Sequence, residues 1–161
     1  MSILLGLTVS IGLLAVVATW IFLGPLAAMG FQIWQAFVAW ACFFHSGGKT
    51  DGLVKTAVCM SFGALVGMLS VMLAGQLGML GALAAPVAVG IGAACIVLAA
   101  HSTLLSTIPA SVYGFACVAG LILLGKDMSP VNAIVPTIGS IIIGAIFGWL
   151  SEMIGGKLAK S

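Results

Sequence analysis

Side chains that could carry chemistry are scarce in this 161-residue chain. Its two histidines, His45 and His101, are the first candidates. Histidine ligates metals and haem, and it changes charge near neutral pH, so the pair could also gate a pore by protonation. Both histidines fall at the ends of predicted helices, where an imidazole can also cap a helix or anchor it at the membrane interface. Ligation, gating and capping stay open at this point.

Neither a metal centre nor an enzyme active site is predicted. The four cysteines form no CxxC pair, and we expect Cys42, Cys59, Cys95 and Cys117 to be small packing residues. No serine stands near a base and an orienting acid in the sequence. We expect no cofactor, and a formal charge of only +2 predicts no nucleic-acid partner.

The segment GGKT at 47–50 has the composition of a phosphate-binding loop but not its spacing. Such a loop needs a glycine five positions before the glycine of the Gly-Lys pair, and Phe43 stands there. We therefore predict that this segment is a connection between helices.

Uncharged polar residues inside apolar stretches are the more informative candidates. An amide or a hydroxyl in hydrocarbon is costly unless it is paired or faces water. Pro109 in addition removes a backbone donor and frees a carbonyl one turn back. Such groups could line a path for a small neutral solute, or they could bind neighbouring helices. The candidate path residues are Gln32, Gln35, Ser106, Thr107, Pro109 and Asn132, with His101 and His45 as the pore mouth or gate.

Six long apolar stretches must position these residues. Hydrophobic residues make up 63% of the chain, and the mean hydropathy is +1.36, so we predict a single integral membrane domain of spanning helices over 1–161. The predicted spans are 3–23, 27–44, 56–75, 82–101, 108–124 and 131–154. The eight charged residues are expected in short connections or in the C-terminal tail: Lys49, Asp51, Lys55, Lys126, Asp127, Glu152, Lys157 and Lys160.

Lysine placement predicts the orientation. With both termini in the cytoplasm, only Lys126 lies outside, which satisfies the positive-inside rule. Residues 2–23 carry no basic side chain and are long enough to span, so we expect a retained first helix rather than a secretion signal. The cytoplasmic lysines are Lys49, Lys55, Lys157 and Lys160.

Acidic residues and arginine are missing from the centre of every predicted span. Proton- and sodium-coupled carriers usually place such a group within the bilayer as the coupling site. This pattern argues against an ion-coupled pump, a voltage sensor and an anion pore, and it favours a passive pathway.

A weak internal repeat is visible. Residues 38–42 (VAWAC) resemble 113–117 (YGFAC) at a spacing of 75, and 63–67 (GALVG) resemble 144–148 (GAIFG) at a spacing of 81. Two consecutive three-helix units must point in opposite directions, which is the inverted-repeat plan of many transporters and channels. We predict two such units, at about 1–77 and 78–161.

Ridges of small residues account for four of the 22 glycines. Small residues four positions apart let membrane helices approach closely. These ridges could form an internal seam between the two units or a face for oligomerisation, and the seam is favoured. The predicted ridge residues are Gly63, Gly67, Ser140, Gly144 and Gly148.

Three segments resemble the YcdZ-type family of small bacterial inner-membrane proteins. They are ATWIFLGPLAAMGFQIWQAFVAWACFF (18–44), GGKTDGLVKT (47–56) and LLSTIPASVYGFACVAG (104–120). The resemblance spans nearly the whole chain, and it implies a location in the bacterial inner membrane. The family has no known function, so the resemblance implies no catalytic or binding residue.

We therefore predict an all-α membrane bundle of six helices in two inverted units. So small a bundle has extensive apolar side faces, and we expect a homo-oligomer. The leading hypothesis for its function is a passive channel or facilitator for a small, mostly uncharged solute. Two alternatives stay open: a non-transporting scaffold or partner subunit that acts through helix contacts, and an exchanger that works by rocking of the two units.

Overall fold

The computed structural model describes residues 1–125 and 128–160, which form six α-helices joined by short turns. The all-helical prediction is confirmed for these residues. Lys126 and Asp127, including the lysine expected outside, are not among them. The helices are α1 (Ile3–Leu23), α2 (Ile33–His45), α3 (Lys49–Gln76), α4 (Ala84–Ala99), α5 (Ile108–Leu124) and α6 (Pro130–Lys160), with 3₁₀ turns at Ala27–Met29, Gly78–Leu83 and Thr103–Leu105.

Four helical segments are long and apolar enough to cross a membrane, so the chain is a helical membrane protein. They are Ile3–Leu23, Lys49–Gln76, Gly78–Ala99 and Pro130–Lys160. The other two helices, α2 and α5, are apolar but shorter. With 13 residues, α2 extends about 20 Å, whereas a bilayer core is about 30 Å thick. The count of six crossings therefore stays a prediction.

The starts of α2 and α3 differ from the prediction, whereas α1 and α5 match it. Helix α2 begins at Ile33 rather than at 27, because the backbone N–H of Gln32 donates to Ser140 Oγ on α6 (2.9 Å) and Gln32 stays extended. Helix α3 begins at Lys49 rather than at 56, because the backbone N–H of Lys49 donates to a carboxylate oxygen of Glu152 on α6 (2.6 Å).

Helix α6 continues to Lys160 instead of ending at 154. Gly155 does not end it, because Gly155 lies directly against Gly6 of α1, and this contact holds the last turns in place. The expectation that every charged residue lies in a connection or tail is therefore wrong for the described ones. Helix α3 carries Lys49, Asp51 and Lys55, and α6 carries Glu152, Lys157 and Lys160.

The turn between α2 and α3 is a helix cap. Gly47, Gly48 and Lys49 have φ values of 96°, 66° and 57°, a left-handed conformation that favours glycine. A Cβ atom on Gly48 would also lie 2.6 Å from Oε1 of Glu152. The Glu152 carboxylate stands at the N-terminus of α3, where the helix dipole favours negative charge. Helix α6 thus fixes where α3 starts.

The helices pack as two crossing pairs with two outer helices. Helix α3 packs on α5, α2 packs on α6, and α3 contacts α6 between the pairs. Helix α1 lies on α6, and α4 lies on α3. The main buried cluster, which includes Met60, Val118 and Ile141, therefore lies among the four inner helices.

Backbones touch at both crossings. Gly63 of α3 lies against the backbone of Ser111 on α5, and Gly144 of α6 lies against the backbone of Ala36 on α2. A Cβ atom on either glycine would overlap those backbone atoms. These ridges are contacts within the chain. The other predicted ridge residues, Gly67, Gly148 and Ser140, lie in the same two interhelical contacts.

Four lysines lie at one end of the bundle. The start of α3 meets the end of α6 there through the contact of Lys49 with Glu152, and α1 begins beside the same turns of α6. Helices α2 and α4 finish at this end, and α5 begins there. We call it the lysine end, defined by Lys49, Lys55, Lys157 and Lys160, and we call the other the opposite end.

Gly144→Ala is expected to lower the free energy of unfolding by about 2 kcal/mol, because the added methyl group overpacks against the Ala36 backbone. The measurement is unfolding in mixed detergent followed by circular dichroism. Gly90→Ala is the matched control, since its Cβ atom on α4 would meet open space, and we expect a change within about 1 kcal/mol. Equal losses in the two variants would contradict a close backbone crossing.

Candidate functional site

Gln35 is a polar side chain in the centre of the helix contacts. It lies in the first turn of α2, and none of it is exposed. Its amide nitrogen Nε2 donates to the backbone carbonyl of Cys117 on α5 (2.9 Å) and to Oγ1 of Thr137 on α6 (3.2 Å). Its amide oxygen Oε1 has no partner among the described residues. A hydrogen-bond acceptor is thus left free where three helices meet.

Ser111 carries a second unpaired oxygen. It lies near the start of α5, is 1% exposed, and its Oγ has no partner in the part of the chain that the structure describes. Along α5 it stands about 9 Å from Cys117, whose carbonyl accepts from Gln35. Buried polar groups normally have partners, and an unpaired one costs about 1–3 kcal/mol. Water or a small polar solute would complete the hydrogen bonds of both groups.

A pocket of about 160 Å³ opens between α2 and α5 at the opposite end of the bundle. Leu121 on its wall stands one turn along α5 from Cys117, so the pocket ends about one helical turn from the buried amide of Gln35. Of the predicted path residues, Gln32 thus lines this pocket, and Gln35 lies buried beyond it. The pocket is lined by Gln32, Trp34, Gly120, Leu121, Leu124 and Gly125.

Ser106, Thr107 and Pro109 lie at the lysine end, away from this pocket. Ser106 is exposed, and its hydroxyl donates to the backbone carbonyl of Thr103 (2.9 Å). Thr107 is the N-cap residue of α5. Pro109 lies in the first turn of α5, where its missing N–H breaks no helical hydrogen bond. The expectation that Pro109 frees a helical carbonyl one turn back is therefore wrong.

The proline inside a helix is Pro136 of α6. It removes the donor that would bind the carbonyl of Asn132 one turn back. Asn132 itself is exposed in the first turn of α6, at the opposite end of the bundle. Ser140 Oγ donates to the Pro136 carbonyl (2.7 Å) and accepts from the backbone N–H of Gln32. A carbonyl without its helical donor was expected near Pro109, and it is instead that of Asn132 on α6.

The two histidines have different partners. Nδ1 of His45, at the end of α2, lies 3.0 Å from the hydroxyl of Tyr113 on α5, with the two rings edge to face. Nδ1 of His101 lies 2.9 Å from the carbonyl oxygen of Leu98, a local contact at the end of α4. Within residues 1–125 and 128–160, no group of three or more histidine, cysteine or acidic side chains could hold a metal ion.

Helices α2 and α5 therefore meet along an antiparallel line of contacts, which we call the α2–α5 seam. The pocket beside Trp34 lies at one end, the hydrogen bond from Gln35 to Cys117 lies within it, and the contact of His45 with Tyr113 lies at the lysine end. The seam thus carries a pocket at one end and an exposed polar contact at the other.

Two residues of this site were not among the predicted path residues. Tyr113 is the only tyrosine of the chain, and Thr137 places a hydroxyl inside an apolar stretch. Both residues could therefore have been noticed in the sequence as unusual. Residue spacing does not reveal that α2 and α5 lie side by side, however, or that α6 turns Thr137 toward Gln35. Long-range packing decides both.

A family model described as "Protein of unknown function (DUF1097)" matches residues 8–156, nearly the whole chain. The expectation of a family without a known function is thereby confirmed. Neither a curated protein nor a solved structure matches the chain.

Gln35→Leu is expected to change the free energy of unfolding by less than about 1 kcal/mol. Leucine has a similar volume, and the loss of two interhelical hydrogen bonds of about 0.6 kcal/mol each is offset by removal of the unpaired oxygen. The measurement is unfolding in mixed detergent. A loss above about 2 kcal/mol would identify the amide as a structural tie. Thr56→Val is the control, because the fully buried Thr56 hydroxyl has a partner in Cys42, and a loss of about 0.6 kcal/mol is expected.

Proposed function

We propose that this chain, which belongs to the family of proteins of unknown function DUF1097, forms a gated passive pathway for a small, mostly uncharged solute. The observation that carries the proposal is the unpaired Oε1 of Gln35 in a fully buried site among α2, α5 and α6. A solute with an N–H or O–H group would donate to this oxygen as it leaves water. The proposal contains no chemical step, and the protein acts in it as a pathway rather than as an enzyme.

The chemistry around Gln35 favours a neutral solute. Its neighbours are the hydroxyl of Thr137 and the carbonyl of Cys117, and Ser111 adds an unpaired hydroxyl. None of these groups carries a full charge. An ion in this site would lose its hydration without gaining a counter-charge, which is costly in a membrane interior. A small molecule with donors and acceptors would exchange water for these groups instead.

Passage along this route requires movement, because Gln35 has no exposed surface. The pocket beside Gln32 and Trp34 provides the entrance at the opposite end. Toward the lysine end, the contact of His45 with Tyr113 joins α2 to α5. We propose that this contact is the gate, and that Thr107, Pro109 and Ser106 border the exit beyond it, with His101 nearby.

We further propose that the chain consists of two inverted three-helix units. The spacings found in the sequence recur in the contacts: Gly63 against Ser111 has its counterpart in Gly144 against Ala36, at offsets of 81 and 75. Helix α3 packs on α5 as α6 packs on α2, and α4 packs on α3 as α1 packs on α6. A second pair of contacts supports the same offsets: Gly67 with Val118, and Gly148 with Phe43.

For the setting of the protein, we propose that the lysine end faces the cytoplasm of a bacterial inner membrane. Lysines concentrate on the cytoplasmic side of membrane proteins, and four of the five lie at this end. The narrower YcdZ-type resemblance, which stays a prediction, supplies the inner membrane. A homo-oligomer also stays part of the proposal, because α1 exposes apolar side chains such as Leu13 and Val16.

An exchanger that works by rocking of the two units is the second candidate. The observation in its favour is the difference between the two ends of the α2–α5 seam, of which one carries a pocket and the other a closing contact. The glycine ridges no longer support the scaffold hypothesis. They were expected to bind partner helices, and they contact helices of the same chain instead. An exchanger shows saturation and counterflow of labelled solute, whereas a passive pathway shows neither.

Gln35→Leu is expected to abolish most of the facilitated flux, because it removes the acceptor that replaces water around the solute. Liposomes with wild-type protein are followed by stopped-flow light scattering with water, urea, formamide, glycerol and a short-chain acid, and protein-free liposomes give the baseline. The variant should approach that baseline for each solute that the wild type accelerates. Thr107→Val, at the proposed exit, should reduce the same flux.

Ser70→Ala is the matched control for this series. Ser70 is buried on α3 beside Gly92 of α4, away from the α2–α5 seam, so its loss should leave the flux unchanged. If neither Gln35→Leu nor Thr107→Val changes the flux, the proposed route is wrong. Baseline rates for folded, inserted wild-type protein would contradict a passive pathway altogether.

Tyr113→Phe is expected to raise the flux by about fivefold, because loss of a hydrogen bond worth about 1 kcal/mol shifts the gate toward its open state. The same light-scattering assay measures it. Val112→Ala, an exposed neighbour on α5, is the control and should behave as wild type. A Tyr113→Phe flux equal to that of the wild type would show that the contact with His45 is not the gate.

A further inference from the structure

A second pocket, of about 390 Å³, lies at the lysine end between the start of α3 and the last turns of α6. It is separate from the α2–α5 seam, and nothing in the proposed pathway uses it. Its lining combines basic side chains with one tryptophan and one methionine. The lining residues are Lys49, Thr50, Trp149, Glu152, Met153, Gly156, Lys157 and Lys160.

The charge of this pocket is positive. Three of its lining residues are lysines, and one is an acid. The carboxylate of that acid, Glu152, already accepts the backbone N–H of Lys49 at the N-terminus of α3. The ion pair seen in the described part of the chain joins Lys55 to Asp51, outside the pocket. The pocket therefore offers several cationic groups to an anion.

The position of Lys49 is fixed by its backbone conformation and by a hydrogen bond to α6. Its backbone has a φ of 57°, which few residues other than glycine adopt, and its N–H is held by Glu152. Because Glu152 belongs to α6, this bond keeps Lys49 beside Lys157 and Lys160 in the last two turns of the same helix. Two helices distant in sequence thus present their lysines to one site.

The apolar part of the lining places the pocket at the membrane boundary. Trp149 is half-buried on α6, and Met153, one turn further, is 37% exposed. Tryptophan is enriched at the level of lipid headgroups, and basic pockets between membrane helices bind anionic headgroups. A soluble anion needs only the lysines, whereas a lipid uses the lysines for its phosphate and the apolar residues for its chains.

We propose that this pocket binds the phosphate group of an anionic phospholipid. The lysines from α3 and α6 bind the phosphate, and Trp149 and Met153 contact the glycerol and the upper acyl chain. The bound lipid ties the start of α3 to the end of α6 from outside, as Glu152 does from within. Binding does not depend on solute passage, so this site can be tested in a protein that shows no flux.

The test is native mass spectrometry of the full chain in detergent, titrated with dioleoyl-phosphatidylglycerol and, separately, with dioleoyl-phosphatidylcholine. Each lysine near an anionic headgroup contributes roughly a fivefold factor in affinity. Lys49→Gln should therefore weaken phosphatidylglycerol binding about fivefold, and the double variant Lys157→Gln with Lys160→Gln should weaken it about 25-fold. Phosphatidylcholine should bind more weakly to the wild type and be little affected by the variants.

Lys55→Gln is the matched control, because Lys55 is also on α3 at the lysine end but does not line the pocket. It removes the same charge, and it should change the affinity less than twofold. Circular dichroism confirms that each variant is folded. Equal losses from Lys49→Gln and Lys55→Gln would overturn the site in favour of general attraction to the basic end. Displacement of the lipid by ammonium phosphate, but not by ammonium acetate of the same ionic strength, would overturn the lipid assignment in favour of a soluble phosphate.

Discussion

Close backbone contact at two helix crossings is the interaction on which the rest of this bundle depends. Lipid chains are as apolar as leucine, so burial of apolar side chains gives membrane helices little reason to associate, and close packing replaces it. Gly63 admits the Ser111 backbone at one crossing, and Gly144 admits the Ala36 backbone at the other. The four inner helices are thereby held closely enough that a polar side chain between them meets fixed neighbours.

Once these crossings are made, polar groups on α6 decide where α2 and α3 begin. Ser140 accepts the backbone N–H before α2, and Glu152 accepts the first backbone N–H of α3. Both hydrogen bonds occupy donors that a helix N-terminus leaves without an internal partner. Gln35 differs from these two residues, because its nitrogen is paired and its oxygen is not. Contacts between the helices therefore explain the amide nitrogen of Gln35 but not its amide oxygen.

The sequence predicted the bounds of helices whose ends depend on adjacent residues. It did not predict helix starts that depend on contacts with residues far away in the sequence. Helices α1 and α5 match their predicted bounds, with Gly24 after one and Pro109 in the first turn of the other. The starts of α2 and α3 depend on partners 108 and 103 residues away, which no local pattern reveals. For the same reason, Gln35 could be singled out as a polar residue in an apolar run, whereas its partner on α6 could not.

The proposed repeat gives a reason to infer function from Gln35 rather than from the glycine ridges. The ridges have counterparts in both units, as features required by the fold should. At the same offsets, Gln35 corresponds to Ala110, which carries no amide, while Thr137 corresponds to Thr56, whose hydroxyl binds Cys42 Sγ instead (3.6 Å). One unit thus packs without an amide, so the fold does not require it in the other. Because an unpaired buried oxygen is destabilising and the fold does not require this amide, Gln35 supports the proposal of a solute that binds there.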